Sequence, residues 1–144
     1  MDVTLIEKCE RLSAETNELA FALMRPFYEE YGINYLKLSV LREISKSDSI
    51  TLNMLANKLS KAAANLSVVI TTMEEEGYVK RTRSVNDKRI TFIQIDKKGK
   101  EISEKSYNYI AEVFDNVLSN GNELDVLVKA LEDYRDKLLT AIEK

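Results

Sequence analysis

The chain has 144 residues, of which 44% are hydrophobic and 31% are charged, and it contains only four glycines and one proline. This composition predicts a mainly α-helical protein with a buried core rather than a loop-rich or disordered chain. With no histidine and one cysteine, the sequence lacks the residues for the common zinc sites, for histidine-dependent nucleophilic catalysis and for an intrachain disulfide. We therefore expect no enzyme activity, no metal and no cofactor.

The net charge of −3 is distributed unevenly along the sequence. Residues 58–100 contain ten basic and five acidic side chains, a charge of +5, whereas the remaining residues carry −8. A basic segment within an acidic frame is typical of a protein that presents one surface to phosphate groups. The sequence has no apolar run near 18 residues and no secretory leader pattern, which predicts a cytoplasmic protein with no membrane partner.

The N-terminal part of the sequence predicts two helices. Apolar residues at helical spacing extend from Val3 to about Tyr31, and Pro26 should kink this helix or restart it. The same spacing continues in INYLKLSVLREIS, residues 33–45, where Asn34 is a possible N-cap. This second helix should be the scaffold for the elements that follow it.

Cys9 lies in an apolar row of the first helix together with Leu5 and Leu12. Lys8 and Arg11 are the basic residues near it in sequence, and no histidine is present to activate the thiol. We therefore expect a buried structural thiol, with a redox role as the alternative.

Two short amphipathic helices between residues 51 and 76 predict a helix-turn-helix. Thr51 is the predicted N-cap of the first helix and Ser60 that of the second, and Gly77 should end the second helix as a C′ residue. Because the turn between the helices is very short, they should cross at a steep angle.

The outer face of the second of these helices carries almost no charge. A period of 3.6 residues places the following side chains there: Lys61, Ala64, Asn65, Ser67, Val68, Thr71 and Thr72. A solvated face usually carries Glu and Lys in i, i+4 pairs, whereas small and hydrogen-bonding side chains suit a surface that lies against base edges. We therefore predict a DNA-binding face, with an ordinary solvated face as the alternative.

Residues 78–95 have the pattern of a β-hairpin with a basic tip. Residues with high β propensity form two runs, and Ser84-Val85-Asn86-Asp87 joins them in a turn that Asn and Asp can close through their own backbones. The candidate DNA-binding residues of this hairpin are Arg81, Arg83, Asp87, Lys88 and Arg89. A solitary exposed pair such as Asp87 and Arg89 would be worth only about 0.2–1 kcal/mol to the fold.

The motifs LANKL, EEEGYVKR, NDKR and IDKKGKEI occur in an order and at a spacing that resemble the MarR family of winged helix-turn-helix transcription regulators. The resemblance covers residues 32–102, and its most specific mark is the Asp87-x-Arg89 pair. It implies that the hairpin is a wing (residues 78–95), that Arg89 enters the minor groove and that Asp87 holds this arginine in position. The sequence departs from the family at Ala63 and Val68, where members often have arginine or another polar residue.

Two further helices are predicted after the wing. Asp96 should cap the first of them. Lys97, Lys98 and Lys100 cluster in its first turn, where the helix dipole disfavours cations, and this unfavourable placement indicates phosphate contact. This helix should extend to a break at residues 120–122, and the last helix should begin at Glu123.

The apolar helices at the two ends of the chain predict a homodimer. They have no partner within a compact three-helix domain, and a two-fold dimer would place its recognition helices about 34 Å apart, one turn of the duplex. The resemblance implies the same arrangement. We thus expect one MarR-like domain over residues 1–144, with residues 1–32 and 101–144 forming the dimerisation region. Residues 33–100 should form the winged helix-turn-helix, which comprises a helix-turn-helix at 51–76 and the wing.

The sequence therefore predicts a DNA-binding transcription regulator, a repressor whose affinity for an A·T-rich pseudo-palindrome in double-stranded DNA changes with a small aromatic or anionic ligand. The ligand class is implied by the resemblance, and five aromatic residues could line its cleft: Phe27, Tyr28, Tyr31, Tyr35 and Tyr107. They could equally be ordinary core and interface aromatics. Because KAAANLSVV lacks arginine, the alternative function is a winged-helix dimer with degenerate DNA readout that serves as a protein-interaction or ligand-sensing module.

Overall fold

The computed structural model describes residues 3–47, 49–118 and 121–143, and it confirms a mainly α-helical fold with a small β-sheet. The helices are α1 (Val3–Tyr31), α2 (Tyr35–Ser45), α3 (Leu52–Lys58), α4 (Ala63–Glu75), α5 (Lys97–Asp115) and α6 (Gly121–Ile142). The strands are β1 (Ile50–Thr51), β2 (Val79–Arg83) and β3 (Thr91–Ile95). Two compact units, Met1–Asn108 and Tyr109–Lys144, divide the chain within α5.

The sheet contains one strand more than the predicted hairpin. Strands β2 and β3 pair antiparallel from Val79↔Ile95 to Arg83↔Thr91, as expected for the wing. β3 also pairs with the two-residue strand β1, which gives the order β1-β3-β2. Since a run of two residues has no readable alternation, the local pattern could not reveal β1. The wing is thereby anchored through β3 to the chain that leads into α3.

Helix α2 lies at the centre of the first unit. Its side chains Leu38, Val40, Leu41 and Ile44 are all buried. They share the core with residues from α3, α4 and all three strands, among them Ile50, Leu55, Leu66, Ile70, Met73, Val79 and Ile93. The helix begins two residues later than predicted because Asn34 caps it, its Oδ1 accepting from the Lys37 amide at 2.9 Å. The core therefore gathers around α2, as a scaffold helix should.

The caps of α3 and α4 confirm two of three predictions. Thr51 Oγ1 accepts from the Met54 amide at 3.3 Å and so caps α3. Gly77 has a φ of 79° and ends α4 in a Schellman motif, in which the Tyr78 amide donates to the Met73 carbonyl at 2.8 Å. The prediction that Ser60 caps α4 is wrong.

Ser60 lies within the turn between α3 and α4, where its φ of 51° is in the left-handed region. The N-cap of α4 is Ala62, which provides no side-chain hydrogen bond. The first amides of α4 therefore lack a side-chain acceptor from their cap. The sequence signal at Ser60 marked the turn and not the start of the helix.

Helix α1 is continuous through Pro26 and does not restart there. Only Met24 and Phe27 are buried within it, and both lie in its C-terminal quarter. The prediction of a buried thiol is wrong, because Cys9 is exposed in the chain. The apolar row that contains Cys9 is present on the helix, but nothing in the described part of the chain covers it.

The start of α5 packs closely against the wing. The Asp96 side chain accepts from the Lys97 amide at 2.8 Å, which confirms the predicted cap. Gly99 is buried, and a Cβ at this position would lie 2.1 Å from the Tyr78 carbonyl oxygen and 2.9 Å from a methyl group of Leu41. Glycine is therefore required here because no side chain fits between α5 and the start of β2.

The second unit comprises the end of α5 and the whole of α6. α6 begins at Gly121, two residues earlier than predicted, and none of its residues is buried. Asn120, part of the predicted break before it, lies outside the described residues, as do Met1, Asp2, Asp48, Ser119 and Lys144. None of the helices described is long and apolar enough to span a lipid bilayer.

Candidate nucleic-acid interface

The outer face of α4 is exposed over the part that was predicted to bind DNA. Ala64, Asn65 and Thr71 are exposed, and Val68 keeps 69% of its surface accessible. Lys61 is also exposed, but it lies in the turn before the helix. A valine that is largely accessible in the middle of a helix contributes little to the core, so this face offers apolar contact to an outside partner.

Two of the predicted face residues have engaged hydroxyls. Thr71 Oγ1 donates to the Ser67 carbonyl at 3.0 Å, and Thr72 Oγ1 donates to the Val68 carbonyl at 3.2 Å. Thr72 and Ser67 are moreover half-buried. Asn65 is therefore the side chain on this face best placed for hydrogen bonding to an outside group, with Ala64 and Val68 on either side of it in sequence for apolar contact.

Ser84 organises the tip of the wing. Its Oγ accepts from the backbone amides of Asn86 and Asp87, both at 3.3 Å, and its own amide donates to the Ile90 carbonyl at 2.9 Å. The Ile90 amide in turn donates to the Asp87 carbonyl at 3.0 Å. Ile90, which the sequence placed in a strand, belongs to this turn. The tip is thus held by its own hydrogen bonds and presents its side chains outward.

Arg89 is the most exposed cation of the wing for which an ion pair is seen. Its side chain is 93% accessible, and its Nε donates to Asp87 Oδ1 at 3.3 Å. The same carboxylate oxygen accepts from the Arg89 backbone amide at 3.0 Å. Asp87 therefore orients both the backbone and the side chain of Arg89, while the guanidinium remains open to solvent. Arg83 and Lys88 are also exposed on the wing.

Arg81 has a different environment from the other basic residues of the wing. Its guanidinium forms an ion pair with Glu74 through Nη1 and donates from Nη2 to Thr71 Oγ1 at 3.1 Å. Its backbone amide donates to Glu74 Oε1 at 3.0 Å. Arg81 therefore joins β2 to the last turns of α4, whereas the sequence predicted a DNA contact for it.

The acidic run Glu74-Glu75-Glu76 at the end of α4 forms contacts with other elements through Glu74 and Glu76. Glu76 accepts from Lys37 Nζ at 2.6 and 2.8 Å, which links α4 to α2. The Glu76 carbonyl accepts from Lys98 Nζ at 3.2 Å, and this ammonium lies 4.2 Å from the centre of the Tyr78 ring. Lys98, for which phosphate contact was expected, thus caps the C-terminus of α4. Residue type alone did not reveal these partners, which lie 22 and 39 positions away in sequence.

The five aromatic candidates for a ligand cleft fall into two groups. Phe27 is buried, and its ring centre lies 4.6 Å from that of Tyr31. Lys105 Nζ lies 5.1 Å from the centre of the Tyr31 ring. Tyr28 and Tyr107 form a second group beside Arg42. Tyr35 interacts electrostatically with Tyr28, and its ring centre lies 4.7 Å from that of Phe21. The structure therefore does not bring all five into one site.

Arg42 was not singled out by the sequence. It donates from Nε and Nη2 to Ser106 Oγ at 3.4 and 3.2 Å, and it lies 5.4 Å from the centre of the Tyr107 ring. Among the described residues, no carboxylate lies within ion-pairing distance of it. Burial raises the pKa of Tyr28, and the charge of Arg42 partly opposes this shift. Arg42 is thus a half-buried cation beside tyrosines.

A helix-turn-helix followed by a β-hairpin, with the exposed face of the second helix and the hairpin tip free of the core, defines a winged helix-turn-helix protein. Comparison with known proteins extends this assignment. The model of the MarR family matches residues 33–91. The matched region therefore belongs to the MarR family of transcription regulators, a class of proteins that are not enzymes.

Individual relatives agree with the family match. The HTH-type transcriptional regulator SarZ from Staphylococcus saprophyticus is 27% identical over 118 residues, which cover 82% of this chain and 76% of the relative. The homoprotocatechuate degradative operon repressor from Escherichia coli is 22% identical over 122 residues, 83% of this chain and 82% of the repressor. The structure of reduced AbfR bound to DNA has the same fold, with a TM-score of 0.77, 21% identity and coverage of 95% of this chain and 96% of AbfR.

Proposed function

We propose that this protein is a homodimeric, cytoplasmic repressor that binds an A·T-rich pseudo-palindrome in double-stranded DNA and has no enzymatic activity. The observation that carries the proposal is the pairing of an uncharged, exposed α4 face with a wing tip on which Asp87 orients an exposed Arg89. Arg89 is suited to the minor groove, where a guanidinium is attracted by the negative potential of narrow A·T tracts. Two relatives named as a regulator and an operon repressor, and a structural neighbour described in complex with DNA, support it.

The α4 face favours A·T base pairs on chemical grounds. Asn65 can pair with two atoms of adenine, while Ala64 and Val68 offer apolar contact to thymine methyl groups. The face has no arginine, the side chain that reads guanine most often. Recognition through α4 should therefore select A·T pairs in the major groove.

Exposed basic side chains should supply most of the affinity. They lie within the helix-turn-helix, in the wing and at the start of α5, and they comprise Lys58, Lys61, Lys80, Arg83, Lys88 and Lys97. Each phosphate that they neutralise should contribute about −0.9 to the slope of log K against log salt. Arg81 and Lys98 are absent from this set because their charges bind Glu74 and the end of α4.

Dimerisation through the terminal helices is supported by their exposed apolar side chains. α1 exposes Leu5, Leu12 and Leu19, and α6 exposes Leu131 and Leu138 among others. A monomer would leave apolar surface well beyond the few hundred Å² that soluble proteins usually expose. A two-fold dimer would cover these helices and present two copies of α4 to successive turns of the duplex.

A small aromatic anion is the ligand class that suits the surroundings of Arg42. Its guanidinium has the neutral Ser106 hydroxyl as its hydrogen-bond partner, and Tyr28 and Tyr107 offer aromatic surface beside it. A carboxylate would gain a charge-assisted bond there while its ring packed on a tyrosine. Binding at this position would place a ligand against α1, α2 and α5.

The second candidate function is a protein-interaction or ligand-sensing module with degenerate DNA readout. It is favoured by Ala63 and Val68, which present only apolar groups where family members often have arginine or another polar residue. Such a module would retain the dimer but bind duplexes without sequence preference.

A titration with the DNA upstream of the protein's own gene tests the proposal. Fluorescence anisotropy on that duplex and on a random duplex of equal length should give tighter binding to the former at physiological salt, by about 10³-fold or more. Equal affinities for both duplexes would favour the module. Titrating the complex with a benzoate-type ligand should release the duplex if the Arg42 site is regulatory.

A further inference from the structure

Three hydrogen bonds join the wing to α4, and a fourth within α4 extends this network. Glu74, in the last turn of α4, accepts from both the amide and the guanidinium of Arg81 in β2. The other arm of the guanidinium reaches Thr71, one turn earlier in α4, and Thr71 in turn donates to the Ser67 carbonyl. Thr71 and Ser67 belong to the predicted DNA-binding face. The network therefore connects that face directly to the strand that carries the wing.

The charges of this network are satisfied within the protein. Both carboxylate oxygens of Glu74 have donors from Arg81, and the Arg81 side chain is only 30% accessible. Arg89, with 93% of its side chain accessible, shows how a wing arginine that is open to an outside anion is placed. A phosphate at Arg81 would have to displace a fork-shaped, charge-assisted contact that also holds the backbone.

We propose that Arg81 is a positioning residue. Together with Glu74 and Thr71, it holds α4 and the wing in one relative orientation, so that base-edge contacts by α4 and the minor-groove contact by Arg89 are made on the same duplex at once. The inference rests on the proposed DNA-binding function and deepens it. By this proposal Arg81 contributes to sequence selectivity and does not bind phosphate through its charge.

The shape of the guanidinium makes the proposal testable. Arg81→Lys keeps the positive charge but cannot bridge a carboxylate and a hydroxyl with a rigid fork. Glu74→Gln removes one negative charge and the ion pair. If Arg81 were a phosphate ligand that Glu74 competes for, Glu74→Gln would tighten DNA binding; if Arg81 positions the wing, the same change weakens specific binding. Glu75→Gln is the matched control, since it removes the same charge from the neighbouring, exposed position.

The experiment measures Kd for the preferred duplex and for a random duplex over a series of salt concentrations, using the full chain. We expect Arg81→Lys and Glu74→Gln each to weaken binding to the preferred duplex by roughly three- to thirtyfold. Binding to the random duplex should change less than about twofold and the salt slope should stay the same, since no phosphate contact is lost. Because both changes break one network, the double variant should be no weaker than the weaker single variant.

Several results would overturn the proposal. These are tighter binding by Glu74→Gln, unchanged selectivity in Arg81→Lys, and an equal effect from Glu75→Gln. A variant that loses affinity for both duplexes and also melts early has lost its fold, and Arg81 is then structural and not positioning. A parent chain that binds no duplex would overturn the proposed function itself, and the positioning role with it.

Discussion

The winged helix-turn-helix, residues 33–100, differs from the terminal helices α1 and α6 in the burial of its apolar residues. We call it the DNA-binding region after its proposed function. In α2 the side chains of Leu38, Val40, Leu41 and Ile44 are buried. Helices α3 and α4 and all three strands add side chains to the same core. In α6 no residue is buried, and in α1 burial is limited to Met24 and Phe27. Yet the terminal helices carry as clear an apolar pattern as the DNA-binding region does.

This difference indicates where each region obtains its stability. The apolar faces of the DNA-binding region are covered within one chain, so this region owes its conformation to its own core. The terminal helices leave side chains such as Leu131 and Leu138 exposed. In the proposed dimer a second molecule buries them, so association and folding of these helices should be coupled.

The largest expected effect is that of a charge placed in the terminal helices. Leu131→Glu should make the free energy of dimerisation less favourable by at least about 3 kcal/mol, since a two-fold dimer would bury two unpaired carboxylates. It should also lower the melting temperature. Sedimentation equilibrium and thermal melts at several concentrations measure both.

Lys137→Glu is the control for that change, because it adds a carboxylate to the same helix at a position that is already polar. It should leave association nearly unchanged. A parent chain that sediments as a folded monomer of 16.5 kDa at micromolar concentration would contradict the coverage of the terminal helices by a second molecule.

Gly99→Ala tests the tight packing of the DNA-binding region. The added methyl would meet the Tyr78 carbonyl oxygen at 2.1 Å, so either α5 or the wing has to move. We expect a loss of about 3 kcal/mol in the free energy of unfolding, measured by denaturant titration. Gly121→Ala, where a Cβ meets nothing within 4 Å, should cost nothing or stabilise slightly. Equal effects at the two glycines would contradict the account of α5 packing.

Much of the fold could be predicted because its signals are local. The caps at Asn34, Thr51, Gly77 and Asp96 depend on residues within a few positions of the helix end, and all four are present. Ser60 shows the limit of this reading, since a serine before a helix is equally suited to the turn that precedes it.

The errors and omissions concern contacts that are distant in sequence. Strand β1 exists because β3 pairs with it, and Lys98 caps α4 because α5 returns to that helix end. Nothing local distinguishes Arg81 from Arg83, although one is engaged by Glu74 and the other is exposed. The sequence predicts a buried Cys9 because the apolar row around it resembles a core-facing row, whereas Cys9 is exposed on the single chain.

A smaller effect is expected at the wing tip, where a substitution should weaken DNA binding without destabilising the core. Arg89→Ala should weaken binding to the preferred duplex by about 2 kcal/mol, roughly thirtyfold, while the free energy of unfolding changes by no more than about 0.5 kcal/mol. Asp87→Ala should have the same effect to a lesser degree because the arginine stays but loses its orientation. Lys88→Ala, at a neighbouring exposed position, should cost only one phosphate contact. If Arg89→Ala binds as tightly as the parent, Arg89 has no role in DNA binding.

The effect most specific to the preferred duplex is expected at the base-reading face. Asn65→Ala should cost about 1–3 kcal/mol on the preferred duplex and little on random DNA, because only a base contact is lost. Competition titrations with the two duplexes measure this difference. A uniform loss on both duplexes would assign Asn65 to phosphate binding instead.

Selection from a random duplex library tests the central claim most directly, namely that α4 and the wing together read A·T base pairs as a two-fold dimer. The enriched sequences should contain A·T-rich half-sites in inverted orientation, with centres about one helical turn apart. Their binding should weaken steeply with salt. Enrichment of G·C-rich half-sites, or no enrichment over the starting library, would contradict the account and favour the interaction module.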